Sequence, residues 1–256
     1  MRRFALLIAT FACVLLISST ASPALMDGLI LYFPFDDGEG EVVTDHSGNG
    51  HDGKIFSFDQ TDWDTGQFQG SIATSAKGAE NLAHADRHGR IEVAGDLGHP
   101  SALTISTWFY ADIDSGWNYL GDFRPTGSWF ARDSGQNIKL DGQGQVGAGD
   151  YPRKEWVHFV VLADSTSTTY YINGKQTGTA GGAAKLNIST NLHIGSRFSD
   201  NESFLTHLDD WAMWDRILTE AEITELGKMP VIPVVAVDPQ GKLATVWGHV
   251  KARTTR

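Results

Sequence analysis

The sequence predicts an all-β protein, a two-sheet antiparallel sandwich with one short helix near the C-terminal end of the domain. Three observations carry this. Apolar and aromatic residues recur in short segments with a period of two, as in Leu29, Leu31, Phe33 and Phe35. An Asn173-Gly174 pair separates two β-rich arms, and Asn-Gly accepts the positive φ angles of a hairpin turn. The chain has 28 glycines and 11% aromatics, which suits many short strands joined by tight turns.

Ahead of the first strand, Arg2 and Arg3 precede an apolar run from Phe4 to Ile17, and small residues follow from Ser18 to Ala24. This is the layout of a cleaved export signal over residues 1–24, with a cut after Ala21 or Ala24. The run is shorter than the roughly 20 residues of a membrane-spanning helix. No later stretch is long and apolar enough to span, so no transmembrane segment is expected after cleavage. The only cysteine, Cys13, lies within the signal. An exported chain without thiols has no disulfide and no thiolate metal site.

The domain is expected over residues 25–227. Its first strand holds Leu29 to Phe35, and a Gly- and Asp-rich turn follows from Asp36 to Gly53. Ile91 and Val93 alternate in a short strand. Leu103 to Tyr110 and Trp156 to Leu162 are rich in β-branched and aromatic residues. Thr168 to Ile172 forms one hairpin arm and Lys175 to Thr177 begins the other. Leu192 to Gly195 and Leu208 to Trp214 read as further strands. Thr219, with Glu222 three residues on, caps a short helix that shows Ile223 and Leu226 on one side and ends at Gly227. Pro230 and Pro233 then open a linker and a tail, residues 228–256, that turns basic at Lys251, Arg253 and Arg256.

With these segments in place, the chain resembles the laminin-G-like, concanavalin A-like jelly-roll domains of secreted proteins. GLILYFPFDDGEGEVVTDHSGNGHDGKI is similar to their opening strand, acidic turn and Asp-x-Ser-Gly-Asn-Gly motif. LTISTWFY resembles their central strand, and WVHFVVLADSTSTTYYINGKQTGTA their long hairpin. LHIGSRFSDNESFLTHLDDWAMWDRILTEAEITEL resembles the closing strand and helix, and its end is similar to pentraxins. The resemblance runs in order from Asp27 to Leu226, while Ser115 to Tyr151 follows no family pattern. It implies a jelly-roll sandwich. The fold hosts lectins, adhesion modules, glycosidases and spacers, so function rests on the residues.

The resemblance also implies a structural calcium ion held by the first loop and the closing strand, at Asp45, Asn49, Asp209 and Asp210. Calcium takes six to eight oxygens in loose geometry, and a glycine-rich bend supplies several. Within one strand Asp209 and Asp210 point to opposite faces, so one of them donates. The competing reading is that these residues only build turns through side-chain to backbone hydrogen bonds. His46, His51, His84, His88, His99, His158 and His207 show no zinc spacing; His84 and His88 are nearest, in a loop without a matching Glu.

Glycosidases of this fold place paired carboxylates on one face of a strand, and the string Glu-x-Asp-x-x-Glu is absent. Glu39/Glu41 and Asp112/Asp114 read as solvated loop charges. No serine elbow or phosphate loop occurs. Loss of Arg2 and Arg3 with the signal takes the net charge from −11 to −13, which repels nucleic acid.

Aromatic side chains are the remaining carriers of function. Trp108, Trp156 and Trp211 sit in strand patterns and read as core. Trp63, Trp117, Tyr119 and Trp129, the last three with Asn118, Asp122 and Arg124 nearby, fall in the least family-like regions. There, exposed rings could stack on a sugar while polar groups take its hydroxyls; packing beneath long loops is the alternative. The expectation is a secreted, periplasmic or cell-surface, non-catalytic module for a glycan or other surface polymer. An adhesion domain with a protein partner and a divergent glycosidase remain the alternatives.

Overall fold

A computed structural model describes residues 23–56, 61–74, 89–111, 118–123, 129–132, 138–140, 147–182, 188, 191–197 and 206–232. The expected signal cleavage zone before Pro23 and the tail beyond Ile232 lie outside the described residues. No described helix is long and apolar enough to cross a membrane.

The chain folds as a jelly-roll sandwich of two antiparallel sheets. Sheet A holds β1 (Leu29–Phe33), β4 (Asp62–Thr65), β5 (Gly70–Ala73), β7 (Ala102–Ala111), β11 (Trp156–Asp164), β12 (Ser167–Ile172), β13 (Lys175–Gly181) and β15 (Thr206–Trp214). Sheet B holds β2 (Val42–Val43), β3 (Gly53–Phe56), β6 (Arg90–Val93), β8 (Asn118–Asp122), β9 (Trp129–Arg132), β10 (Ile138–Leu140) and β14 (Leu192–Ile194). Helix α1 (Pro23–Met26) precedes β1, and α2 (Glu220–Leu226) follows β15. In sheet A the order is β13-β12-β11-β7-β15-β5-β4, with β1 also on β15; in sheet B it is β10-β9-β8-β14-β6-β3-β2.

The core fills the space between the sheets. Leu31, Phe33, Ile105, Phe109, Phe159 and Val161 from sheet A meet Ile55, Ile91, Val93, Leu120, Ile138 and Ile194 from sheet B. The period of two seen in the sequence is the cause, since every second side chain faces inward. The β12–β13 hairpin turns at Asn173 (φ 51°) and Gly174 (φ 74°), as expected for Asn-Gly.

One irregularity organises sheet A. Strand β15 pairs with β5 through His207 and Leu208, then with β1 through Trp211 to Trp214. The change of partner falls at a bulge after Asp209, where Asp210 adopts φ 52°. Such a bulge admits an extra residue and bends the strand. Gly70 lies at the same junction: a Cβ there would run into the Phe35 carbonyl oxygen.

Helix α2 has the capping box read from Thr219 and Glu222, and its buried Ile223 and Leu226 lie on the outer face of sheet A. Thr104 ties the approach to it, donating to the Arg216 carbonyl at 2.6 Å and accepting from Leu218 N at 3.1 Å. Gly227 ends the helix in a right-handed conformation (φ −71°), so positive φ is not its role here. The packed chain extends past the expected boundary at 227. Val231 is 1% exposed and its N–H donates to Asp210 Oδ2 at 3.2 Å. At the other end, the carbonyls of Ala24 and Leu25 accept from Arg216 and the Trp214 indole.

Candidate ligand-binding site

On the outer face of sheet A, the strand registers align side chains in rows across β11, β7 and β15. The first row is Trp156, Tyr110 and His207; the second is His158, Trp108 and Asp209; the third is Val160, Ser106 and Ala212. Helix α2 and the segments flanking it lie over part of this face. The first row is left half-exposed.

In that row Tyr110 meets Trp156 edge-on at 6.0 Å between centroids and His207 at 5.8 Å. Trp156 and His207 are 6.5 Å apart, and His207 Nδ1 lies 3.5 Å from Asp64 Oδ2. In the second row the rings of Trp108 and His158 stack at 5.0 Å with 24° between planes. The Trp108 indole N–H donates to the Leu226 carbonyl at 3.4 Å. His158 and Ser106 share a hydrogen bond of 2.9 Å through Nε2. His158 Nδ1 is buried without a hydrogen-bond partner among the described residues, and burial holds the imidazole pKa down to about 3, so it is neutral at physiological pH.

Asp209 completes the second row by anchoring a wall. Its Oδ2 accepts from Phe68 N at 3.0 Å, which pins the β4–β5 turn over the sheet and sets Phe68 edge-on to Trp108 at 5.7 Å. Burial, with the nearby Asp36 carboxylate adding to it, pushes the Asp209 pKa up to about 7. The bulge also overturns the expectation of opposite faces: Asp210 accepts from the Tyr32 hydroxyl at 2.5 Å and from Val231 N, above the outer face like Asp209. Burial raises its pKa, and Asp209 adds to the effect.

The walls border an open cavity of about 690 Å³. Trp108, Trp156 and His158 line it from the sheet, Gln67 from the β4–β5 turn, and Asn173 and Gly174 from the hairpin. Thr224, Gly227 and Lys228 close it from α2, and Glu155 stands at its lining. A second hollow of about 290 Å³ is lined by Thr65, Tyr110, Trp156 and His207. A concave apolar floor with a few convergent polar groups is the usual form of a small-ligand site.

The residues expected to bind a sugar are placed differently. Trp117 and Arg124 lie outside the described residues. Asn118 and Trp129 belong to β8 and β9 of sheet B, not to a loop. Tyr119 is 5% exposed and Asp122 is 0% exposed in β8, so neither presents a surface to a ligand. Trp63 is in β4, half-buried against the core, with its indole N–H on the Gly40 carbonyl. Trp156, read as core, is instead half-buried on the outer face and lines the cavity; Trp108 is buried as expected, 8% exposed, but beneath α2 on that outer face rather than between the sheets. Their parity with Tyr110 and His158 was visible in the sequence, but which parity faces inward depends on the opposite sheet.

The four residues expected to hold calcium do not form one cage. The Asp45 carboxylate accepts four hydrogen bonds, from Tyr32 N, Ser47 N, Ser47 Oγ and His51 N, at 2.9–3.1 Å. Its oxygens are therefore engaged by donors, which hold its pKa down against the opposing effect of burial. Asn49 turns its amide to the Leu29 and Ile30 carbonyls, and His46 N donates to the Tyr32 carbonyl. The loop thus satisfies the free edge of β1, as the turn-building reading requires. Asp209 and Asp210 are engaged elsewhere by Phe68, Tyr32 and Val231. Among the described residues no group of three or more His, Cys, Asp or Glu is arranged to hold a metal. As arranged, this donor set does not fit a calcium ion.

Comparison with known proteins agrees with the architecture. No curated protein matches the chain in sequence. Among solved structures, domain 4 of AbnA, a GH43 extracellular arabinanase from Geobacillus stearothermophilus in complex with arabinotriose, aligns with TM-score 0.59 and 16% identity. That alignment covers 82% of this chain and 100% of that one. The binding domain of Paraclostridial Mosquitocidal Protein 1 aligns with TM-score 0.57 and 17% identity, over 79% of this chain and 52% of that one. A Trypanosoma rangeli sialidase aligns with TM-score 0.56 and 13% identity, over 78% of this chain and 32% of that one. At these identities the likeness is one of fold. Residues 85–224, more than half of the sequence, match the profile of the concanavalin A-like lectin/glucanases superfamily, and the chain belongs to that superfamily as a laminin-G-like member.

Proposed function

We propose that this chain is an extracellular, non-catalytic binding module that takes a glycan on the outer face of sheet A. One observation carries the reading: the half-exposed Trp156–Tyr110–His207 row opens beside a cavity of about 690 Å³ floored by Trp108 and Trp156. Indole and phenol rings offer flat apolar surfaces to sugar C–H groups, and the amides of Gln67 and Asn173 with the Thr224 hydroxyl suit sugar hydroxyls.

The carboxylates support binding over hydrolysis. Glycoside hydrolysis uses two carboxyl groups flanking the scissile bond. Among the described residues lining the cavity only Glu155 carries one. Asp209 and Asp210 are buried under the β4–β5 turn and the segment after α2. Ser106, beside His158, is 3% exposed and closed to a substrate. The extracellular placement accords with the arabinanase and toxin binding domains that share the fold.

A glycan array followed by calorimetry on the hits tests the reading. Binding that Trp156→Ala abolishes, with no reducing sugar released, is the expected result. Binding untouched by Trp156→Ala would move the site elsewhere, and turnover abolished by Glu155→Gln would make the module an enzyme.

A further inference from the structure

The aromatic face is divided, and the division sets the kind of ligand it accommodates. Among the described residues, Trp156 is the one that lines both the 690 Å³ cavity and the 290 Å³ hollow. Its indole therefore borders both spaces. Each side has its own polar groups: Asn173 and Gln67 in the larger cavity, Thr65 and the Tyr110 hydroxyl in the smaller. The smaller space adds the half-buried Tyr110 and His207 rings, while in the larger the buried Trp108 forms the floor.

Charge narrows the ligand further. Glu155 lines the cavity and Asp64 stands beside the hollow, 3.5 Å from His207. Lys228 is the only Lys or Arg among the described residues lining either space. The whole chain carries −11. A uronate or sialic acid would bring a carboxylate toward Glu155 or Asp64 with a single compensating ammonium, whereas a neutral sugar meets no such opposition.

Resting on the glycan-binding reading, we propose that the two spaces are adjoining subsites for one uncharged oligosaccharide that crosses Trp156. Neighbouring units of the chain sit on the two sides of Trp156, near Gln67, Asn173 and Thr224 on one side and against Tyr110 with His207 on the other. A single sugar fills one subsite only, so affinity rises with chain length until both are occupied.

The test is calorimetry with ladders of one to six units: arabino-, xylo-, cello-, manno- and malto-oligosaccharides, with oligogalacturonides as the anionic comparison. At least one neutral ladder should gain about tenfold or more in affinity between one and three units, the equivalent of about 1.4 kcal/mol. Tyr110→Ala and His207→Ala should erase that gain while leaving the short sugar bound, and Trp156→Ala should weaken every length. Affinity independent of length, or a preference for the oligogalacturonides, would overturn the two-subsite proposal and leave a glycan module standing. Silence of every ladder alongside array hits on other glycans would also overturn this proposal alone. Silence on both would sink the glycan reading with it.

Discussion

His158 makes the floor of the cavity sensitive to acid. In the folded chain its pKa is about 3, against 6.5 in the unfolded chain, because burial denies the imidazolium its water. Below pH 6.5 the unfolded chain therefore takes up a proton that the folded chain refuses. The contribution of this residue is fully present above pH 6.5 and declines as pH falls toward 3. At pH 4.5, two pH units below the unfolded value, the loss is about 3 kcal/mol at 1.36 kcal/mol per unit. For a domain of this size that is about 6–12 °C in Tm. Asp209 acts in the opposite sense: its raised pKa stabilises the fold as pH falls from about 7 to 3.8. The wild-type profile is thus a partial cancellation, and a variant is needed to separate the two. His158→Gln carries no titrating ring. Its melting temperature, measured by scanning calorimetry beside wild type, should gain about 6–12 °C relative to wild type between pH 7 and pH 4.5. The offset at pH 7, from the lost stacking on Trp108, does not enter this comparison. An unchanged difference between the two proteins at both pH values would refute the buried neutral imidazole.

Further tests address the fold and the site. Asp209→Asn should reduce the opposing slope, so that the variant loses less stability than wild type between pH 4 and pH 7, the remainder coming from the buried Asp210, whose pKa is also raised; a slope equal to wild type would mean that the Asp209 carboxyl is ionised throughout. Asp45→Ala removes an acceptor of four hydrogen bonds and should cost about 2–4 kcal/mol by urea denaturation, in calcium and in chelator alike. A chelator that lowers the wild-type midpoint but not that of the variant would restore the calcium expectation. Truncation after Val231 should leave a cooperative melt close to that of the full chain, whereas truncation after Lys228 should lower it, because Val231 is packed and donates to Asp210; equal melts would contradict that contact. Trp156→Ala should reduce glycan affinity at least about tenfold while shifting Tm by only a few degrees, since the ring is half-exposed; a collapse of the fold would make Trp156 a core residue after all.

Local chemistry was legible in the sequence. The Asn173-Gly174 turn, the capping box at Thr219 and Glu222, and the alternation of Leu31, Phe33, Ile105 and Phe109 are properties of neighbouring residues, and each appears where the pattern placed it. The order of these segments was enough to identify the sandwich. What neighbours do not encode is which side of a strand becomes the inside. Trp108 and Phe109 are both aromatic residues in one β-rich run, yet only Phe109 meets the opposite sheet. Likewise, Asp209 and Asp210 share a face because β15 exchanges β5 for β1 between them, and that exchange joins segments more than a hundred residues apart. Sequence determined β1, β6, β7 and β11 to β15, the turns and the superfamily, while β2 to β5 and β8 to β10 emerged only with the sheets. Tertiary pairing alone decided that Trp156, Tyr110 and His207 would stand in one row and remain open, because a row across three strands exists only once their registers are set.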